Sequence, residues 1–128
     1  MPKSINLIGM YVRDVFASVE FYAKLGFQTV RVDKSVAELS LGAMTLHCID
    51  KETAREQSEA FQKEAFGEPK GTGLYINIEV EDVDTYYREL KDKGLKPSSE
   101  PRNWPWGHRE FAIRDSDGYK LVFYQKTA

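Results

Sequence analysis

One cysteine in 128 residues excludes an intramolecular disulfide and agrees with a reducing compartment. That residue, Cys48, sits in an apolar run from 44 to 49 and reads as core packing. Long apolar runs are missing too, so nothing here crosses a bilayer, and the opening MPKSINLIGMYV lacks the apolar core of a secretion signal. The expectation is a soluble, cytoplasmic protein with no membrane partner. Charge of one sign is also scarce. Against 18 basic residues stand 20 acidic ones, the formal net charge is −2, and no basic stripe marks a nucleic-acid surface. Low-complexity sequence is absent. The length predicts a single domain over residues 1–128, large enough to bury a core without staples.

What is present concentrates in residues 104–124, WPWGHREFAIRDSDGYKLVFY. Phe111 and Ile113 alternate with Glu110, Ala112 and Arg114, and Leu121 and Phe123 alternate with Val122 and Tyr124, the period of half-buried strands. Asp115-Ser116-Asp117-Gly118 joins them with an Asp-Gly pair that tolerates positive φ, so a β-hairpin is predicted. Before it, Pro105 holds Trp104 and Trp106 at the entrance of a strand. They read either as an aromatic wall or as caps on the core.

The rest of the chain is a doubled module. Residues 5–12 read as a strand, Asp14 as a helix N-cap, Val15, Val19, Tyr22 and Leu25 as one helix face, and Gly26 as its left-handed end. Strands are predicted at 27–33, 36–41 and 43–50. A shift of 68 residues places Val12, Asp14, Val15 and Gly26 on Val80, Asp82, Val83 and Gly94. The second copy has a strand at 74–81, a helix carrying Val83, Tyr86, Tyr87 and Leu90, and strands at 95–99, 109–115 and 120–124. The fold class is therefore α+β, two tandem βαβββ modules (1–50 and 71–128) forming a curved mixed sheet with a concave ligand groove. Residues 51–70, with Phe61, Ala65 and Phe66, read as a charged amphipathic connector.

In each module one strand face is aliphatic and suited to cover the helix: Ile8, Met10 and Val12, then Leu74, Ile76, Ile78 and Val80. The opposite faces carry Leu7, Gly9 and Tyr11, then Tyr75, Asn77 and Glu79. Buried dry, an unpaired polar group on such a face costs about 1–3 kcal/mol. A wet, ring-lined groove, closed by the other module or by a second subunit, removes that cost and has the make-up of a small-molecule site.

The openings VRDVFASVEFYAKLGF and EVEDVDTYYRELKDKGLK and the ending WGHREFAIRDSDGYKLVFY resemble the vicinal oxygen chelate superfamily of glyoxalases, bleomycin resistance proteins and extradiol dioxygenases. The ending is most similar to the bleomycin resistance and mitomycin-binding branch, although the usual DPDGN appears as Asp115-Ser116-Asp117-Gly118-Tyr119. This resemblance implies a homodimer that sequesters a small drug or natural product without chemistry. By its pattern the metal-ligand positions fall at Leu7, Tyr75 and Val122, with the fourth at Leu46 or His47. Three of the four carry no usual ligand, so no metal, no cofactor and no catalytic residue is expected.

The ligand-binding candidates are Tyr11, His47, Tyr75, Asn77, Glu79, Trp104, Trp106, His108 and Tyr124, facing a flat, partly aromatic ligand. Two other readings stand beside this one. The first is a glyoxalase- or dioxygenase-like lyase or isomerase, using a metal or a Glu79–His108 acid-base pair. The second is a protein whose concave face binds a partner protein.

Overall fold

Period-two alternation and two aspartate caps set the architecture. The computed structural model describes residues 1–55 and 65–127. Strand β1 (Leu7–Val12) leads into helix α1 (Val15–Leu25), where Asp14 Oδ1 accepts from the N–H groups of Phe16 (3.0 Å) and Ala17 (3.3 Å). The helix ends where Gly26 adopts φ 106°, which lets Phe27 N–H donate to the Tyr22 carbonyl at 3.0 Å. An L side chain at that position would be strained. Strands β2 (Gln28–Val32), β3 (Val36–Leu41) and β4 (Met44–Asp50) complete a sheet in the order β1-β4-β3-β2, with β1 and β4 parallel. Met10, Val12, Ala37, Leu39, Leu46 and Cys48 are buried along with Val15, Ser18, Tyr22 and Leu25 of α1. Tyr22 is met edge-on by Phe21 and Phe27, with ring centres 5.3 and 5.2 Å away. The packing role expected of Cys48 holds.

The connector begins as helix α2 (Lys51–Arg55), capped by Asp50 Oδ2, which accepts from Glu52 N–H at 3.0 Å. Ala65 and Phe66 are helical, and Ala65 is buried. Phe61 lies outside the described residues.

The second module repeats the plan. Its elements are β5 (Tyr75–Glu79), α3 (Val83–Asp92), β6 (Arg102–Trp104), β7 (His108–Arg114) and β8 (Lys120–Lys126), in the order β5-β8-β7-β6 with β5 and β8 parallel. Asp82 Oδ1 accepts from Thr85 N–H at 3.1 Å, and Gly94 at φ 85° allows Leu95 N–H to reach the Leu90 carbonyl at 3.0 Å. Cap and terminator thus recur at the predicted step. Tyr86 packs on Phe123 (4.8 Å between ring centres) and Tyr87 on Phe111 (5.2 Å), which fixes the face of β7 and β8 that α3 covers.

The tandem modules form two four-stranded mixed sheets, and the chain divides into compact units Met1–Glu68 and Pro69–Ala128. Two expectations change. Residues 95–99 form no strand: Pro97 has no N–H, and the segment meets β7 through one backbone bond, Ser98 N–H to the Ala112 carbonyl at 2.8 Å, and the Ser99 hydroxyl. The edge strand is instead β6, which makes the start of the Trp-rich segment the module's second strand. Leu74 lies ahead of β5 and is 67% exposed, outside the apolar face assigned to it.

The predicted hairpin is present, with Arg114 paired to Lys120 and Gly118 at φ 94°. Buried Asp115 organises its turn through Oδ1, which accepts from the N–H groups of Asp117 and Tyr119, each at 2.9 Å. Asp115→Ala leaves those donors without their acceptor and should cost about 2–3 kcal/mol, read as a lower urea midpoint, whereas Asp115→Asn keeps an oxygen acceptor and should lose less.

Candidate functional site

Because α3 covers Phe111 and Phe123, the alternate residues of β7 and β8 face the other way. Cross-strand register builds that open face row by row. Tyr75, Lys120 and Arg114 form one row; Asn77, Val122 and Ala112 the next; Glu79, Tyr124, Glu110 and Arg102 the third; Lys126, His108 and Trp104 the last. Seven of the nine predicted residues gather here: Tyr75, Asn77, Glu79, Trp104, Trp106, His108 and Tyr124.

The tryptophan pair has a local cause. Gly107 N–H donates to the Trp104 carbonyl at 3.2 Å, closing a turn with Pro105 at its second position, where a fixed φ near −65° is favoured. That turn stacks the two indoles at 4.8 Å with 12° between planes. The Arg102 guanidinium carbon lies 3.8 Å from the Trp104 ring centre. Trp104 therefore serves as the filling between two flat groups, while Trp106 is 57% exposed and presents its ring outward. His108 stacks on Tyr124 at 4.1 Å and 17°, with its Nδ1 3.8 Å from Glu110 Oε2. A cavity of about 190 Å³ opens on this face beside Arg102, Trp104, Glu110, Ala112, Lys120 and Val122.

Arg102, Glu110 and Lys120 were not singled out from the sequence. The signal was available, because each lies an even number of residues from Trp104, His108 or Tyr124 along its own strand. The Glu79–His108 pair gives way to a nearer one, since Glu110 is the carboxylate beside His108, while Glu79 is registered to Tyr124 on β8.

Behind the wall, Arg109 points to the helix side. Its Nε and Nη2 donate to Asp84 Oδ2 and Oδ1 at 2.9 and 3.0 Å, and its Nη1 donates to Asn103 Oδ1 at 3.2 Å. A planar guanidinium thus ties α3 to the edge strand that carries Trp104. The hydrogen bonds from Arg109 hold the Asp84 carboxyl below the ordinary carboxylate range, against a smaller opposing effect of burial.

Tyr11 and His47 lie in the first unit, on the open face of its own sheet. Leu46 is 2% exposed and belongs to the core, whereas His47 is registered between Gly9 and Glu38 on the opposite side. Of the two, only His47 lies on the open face. Its Nε2 is buried and has no hydrogen-bond partner among the described residues.

The donor set does not fit a catalytic divalent ion. Leu7, Tyr75 and Val122 stand at three implied positions, and no group of three His, Cys, Asp or Glu side chains suited to a metal occurs among the described residues. Likewise, no helix among those residues is long and apolar enough to cross a membrane.

Residues 4–123 match the family model of the Glyoxalase/Bleomycin resistance protein/Dioxygenase superfamily. The chain belongs to this superfamily. Within it, the chain is 28% identical over 125 residues to a bleomycin resistance protein of Geobacillus stearothermophilus, covering 90% of this chain and 91% of that one. It is 29% identical over 122 residues to the uncharacterized protein YraH of Bacillus subtilis, covering 92% and 94%. Among solved structures, a glyoxalase/bleomycin resistance protein/dioxygenase from Nocardioides has a TM-score of 0.83 at 24% identity, covering 99% of this chain and 85% of that one. A bleomycin-binding protein complexed with bleomycin has a TM-score of 0.67 at 21% identity, covering 98% and 99%. At those identities the structural likeness establishes the superfamily fold.

Asp84 has a lowered folded-state pKa, so the stability it lends is present above its unfolded value and lost as pH falls through the folded one. Wild type should therefore exceed Asp84→Asn in urea midpoint above about pH 4, with the gap closing below it. A gap that stays constant from neutral to acid pH would show that the carboxylate charge contributes nothing.

Proposed function

We propose that this protein is a metal-independent small-molecule binding protein of the bleomycin resistance type, acting by sequestration. The single observation that carries this reading is the outward-facing Trp106 ring, backed by Trp104 and Arg102, at the edge of a face that also holds His108, Tyr124 and Glu110. Nothing in the core explains a large ring left in water at the end of a rigid turn; a flat, partly aromatic ligand does. Stacking of one aromatic on another adds about 0.5–1.5 kcal/mol beyond the area it buries. The bleomycin resistance relatives support a drug or natural product as the ligand class. Glu79 and Glu110 suit cationic groups on it, and Tyr75, Asn77 and Tyr124 extend the contact surface.

The protein is further proposed to act in the cytoplasm as a homodimer. Leu7, Val30 and Val32 are exposed on the edge strands of the first sheet, apolar surface that a symmetric partner would cover. In that assembly Tyr11 and His47 would serve as ligand contacts from the first module's open face.

A second reading, a metal-free lyase or isomerase, draws on one specific observation: a carboxylate and an imidazole 3.8 Å apart on the same open face. Sequestration predicts that the bound molecule is recovered unaltered, whereas the enzyme reading predicts turnover lost in Glu110→Gln.

Metal-free bleomycin titrated into the protein should quench tryptophan fluorescence, with Trp106→Ala weakening binding by about threefold to tenfold while Trp104 still reports. Equal affinity in the variant and wild type would remove the stacking wall and this function with it.

A further inference from the structure

Ahead of β5 the chain runs through Pro69-Lys70-Gly71-Thr72-Gly73-Leu74, a segment the binding reading does not use. Gly71 and Gly73 adopt φ 67° and 85°, and the turn is held by Leu74 N–H donating to the Gly71 carbonyl at 3.0 Å. Gly71 also lies flat against Tyr119, whose ring would stand 2.8 Å from a Cβ at that position. Gly71 and Gly73 are both left-handed, and among the described residues the N–H groups of Gly71, Thr72 and Gly73 donate to no backbone carbonyl.

These residues line a cavity of about 490 Å³ together with Tyr75, Arg114, Gly118 and Lys120. Among the described residues its wall carries three cationic side chains, from Lys70, Arg114 and Lys120, and no carboxylate. Lys70 is buried and already engaged in an interaction of its own, so the available cations are the other two. Arg114 Nη1 donates to the Gly118 carbonyl at 2.8 Å, which fixes the guanidinium at the rim and leaves further N–H donors on it. Lys120 Nζ lies 5.7 Å from the centre of the exposed Tyr75 ring.

We infer that the 69–74 loop, Arg114 and Lys120 form a binding site for a small organic oxyanion, a phosphate or carboxylate whose ring or chain rests on Tyr75. Amides in a glycine turn that donate to no backbone carbonyl and a fork-shaped guanidinium both match the geometry of an oxyanion, and a second cation adds attraction without a competing carboxylate in the wall. The site needs neither tryptophan, and it shares only Tyr75, Arg114 and Lys120 with the open face described above.

Backbone-amide NMR of the full chain tests this, by titrating phenyl phosphate and, separately, benzoate at constant ionic strength with chloride as the control. Saturable shifts at Gly71, Thr72 and Gly73 with either probe are expected, the tighter probe naming the oxyanion. Lys120→Gln, chosen because Arg114 also supports the hairpin turn, should weaken binding by about tenfold. Lys34→Gln removes an equal charge from the first unit and should leave binding unchanged. The site is overturned if neither probe gives saturable shifts, if chloride reproduces them, or if the two lysine variants behave alike.

Discussion

In each module a helix capped by aspartate covers one face of a four-stranded sheet, and from that limit the chemistry of the chain follows. A strand whose neighbours are all paired has no freedom in which residues go where: every second side chain meets the helix and the rest meet something else. Phe111, Ile113, Leu121 and Phe123 are buried on the covered side of the second sheet, while Glu110, Tyr124 and Glu79 belong to the other. Burial of the aliphatic set holds the sheet together. The rings and charges opposite are under no such demand, and this frees them to act on a ligand.

Duplication makes the point sharper, because the same place in the topology can be compared twice. Gly9 and Asn77 are 68 residues apart, and each is registered to the fourth strand of its own module, Gly9 to His47 and Asn77 to Val122. One module thus keeps an imidazole where the other keeps an isopropyl group. The covered faces of both copies present buried aliphatic and aromatic residues to a helix capped by aspartate. Packing sets the character of one face in both copies, and leaves the other free to differ. Leu7, Tyr75 and Val122 lie outside the covered faces, so their chemistry bears little on the scaffold.

Much of this was legible in the sequence because its causes are local. Asp14 and Asp82 cap helices, and Gly26 and Gly94 end them, through contacts within a few residues along the chain. The hairpin at Asp115 to Gly118 is equally local. What the sequence hid depends on pairing at a distance. The three-residue strand β6 has too few residues for a period, and only its pairing to β7 identifies it. Residues 95–99 looked more strand-like by composition, yet Pro97 withholds a donor from the ladder. The role of Arg109 was hidden for the same reason: its partner Asp84 is 25 positions away on α3, and nothing in local periodicity joins them. The proximity of Glu110 to His108 was missed although it lies two residues away on the same strand, while register places Glu79 on an outer strand beside Tyr124.

The two faces of β7 are also coupled mechanically. Arg109 lies between His108 and Glu110, so the residue that clamps α3 to β6 is flanked by two residues of the open face. Its guanidinium bridges Asp84 and Asn103, and Asn103 precedes Trp104, which holds Arg102 and Trp106 in a stack. The indole wall is thus supported from behind by a charged fork and from the front by its own turn. A pre-positioned ring loses little freedom when a ligand lands on it, which is where affinity for flat molecules comes from in a shallow face. The clamp would therefore serve the proposed binding surface although no ligand touches it, and the proposed anion site at the opposite end of β7, where Arg114 is fixed by the Gly118 carbonyl, uses the same device of a guanidinium held in place before its partner arrives.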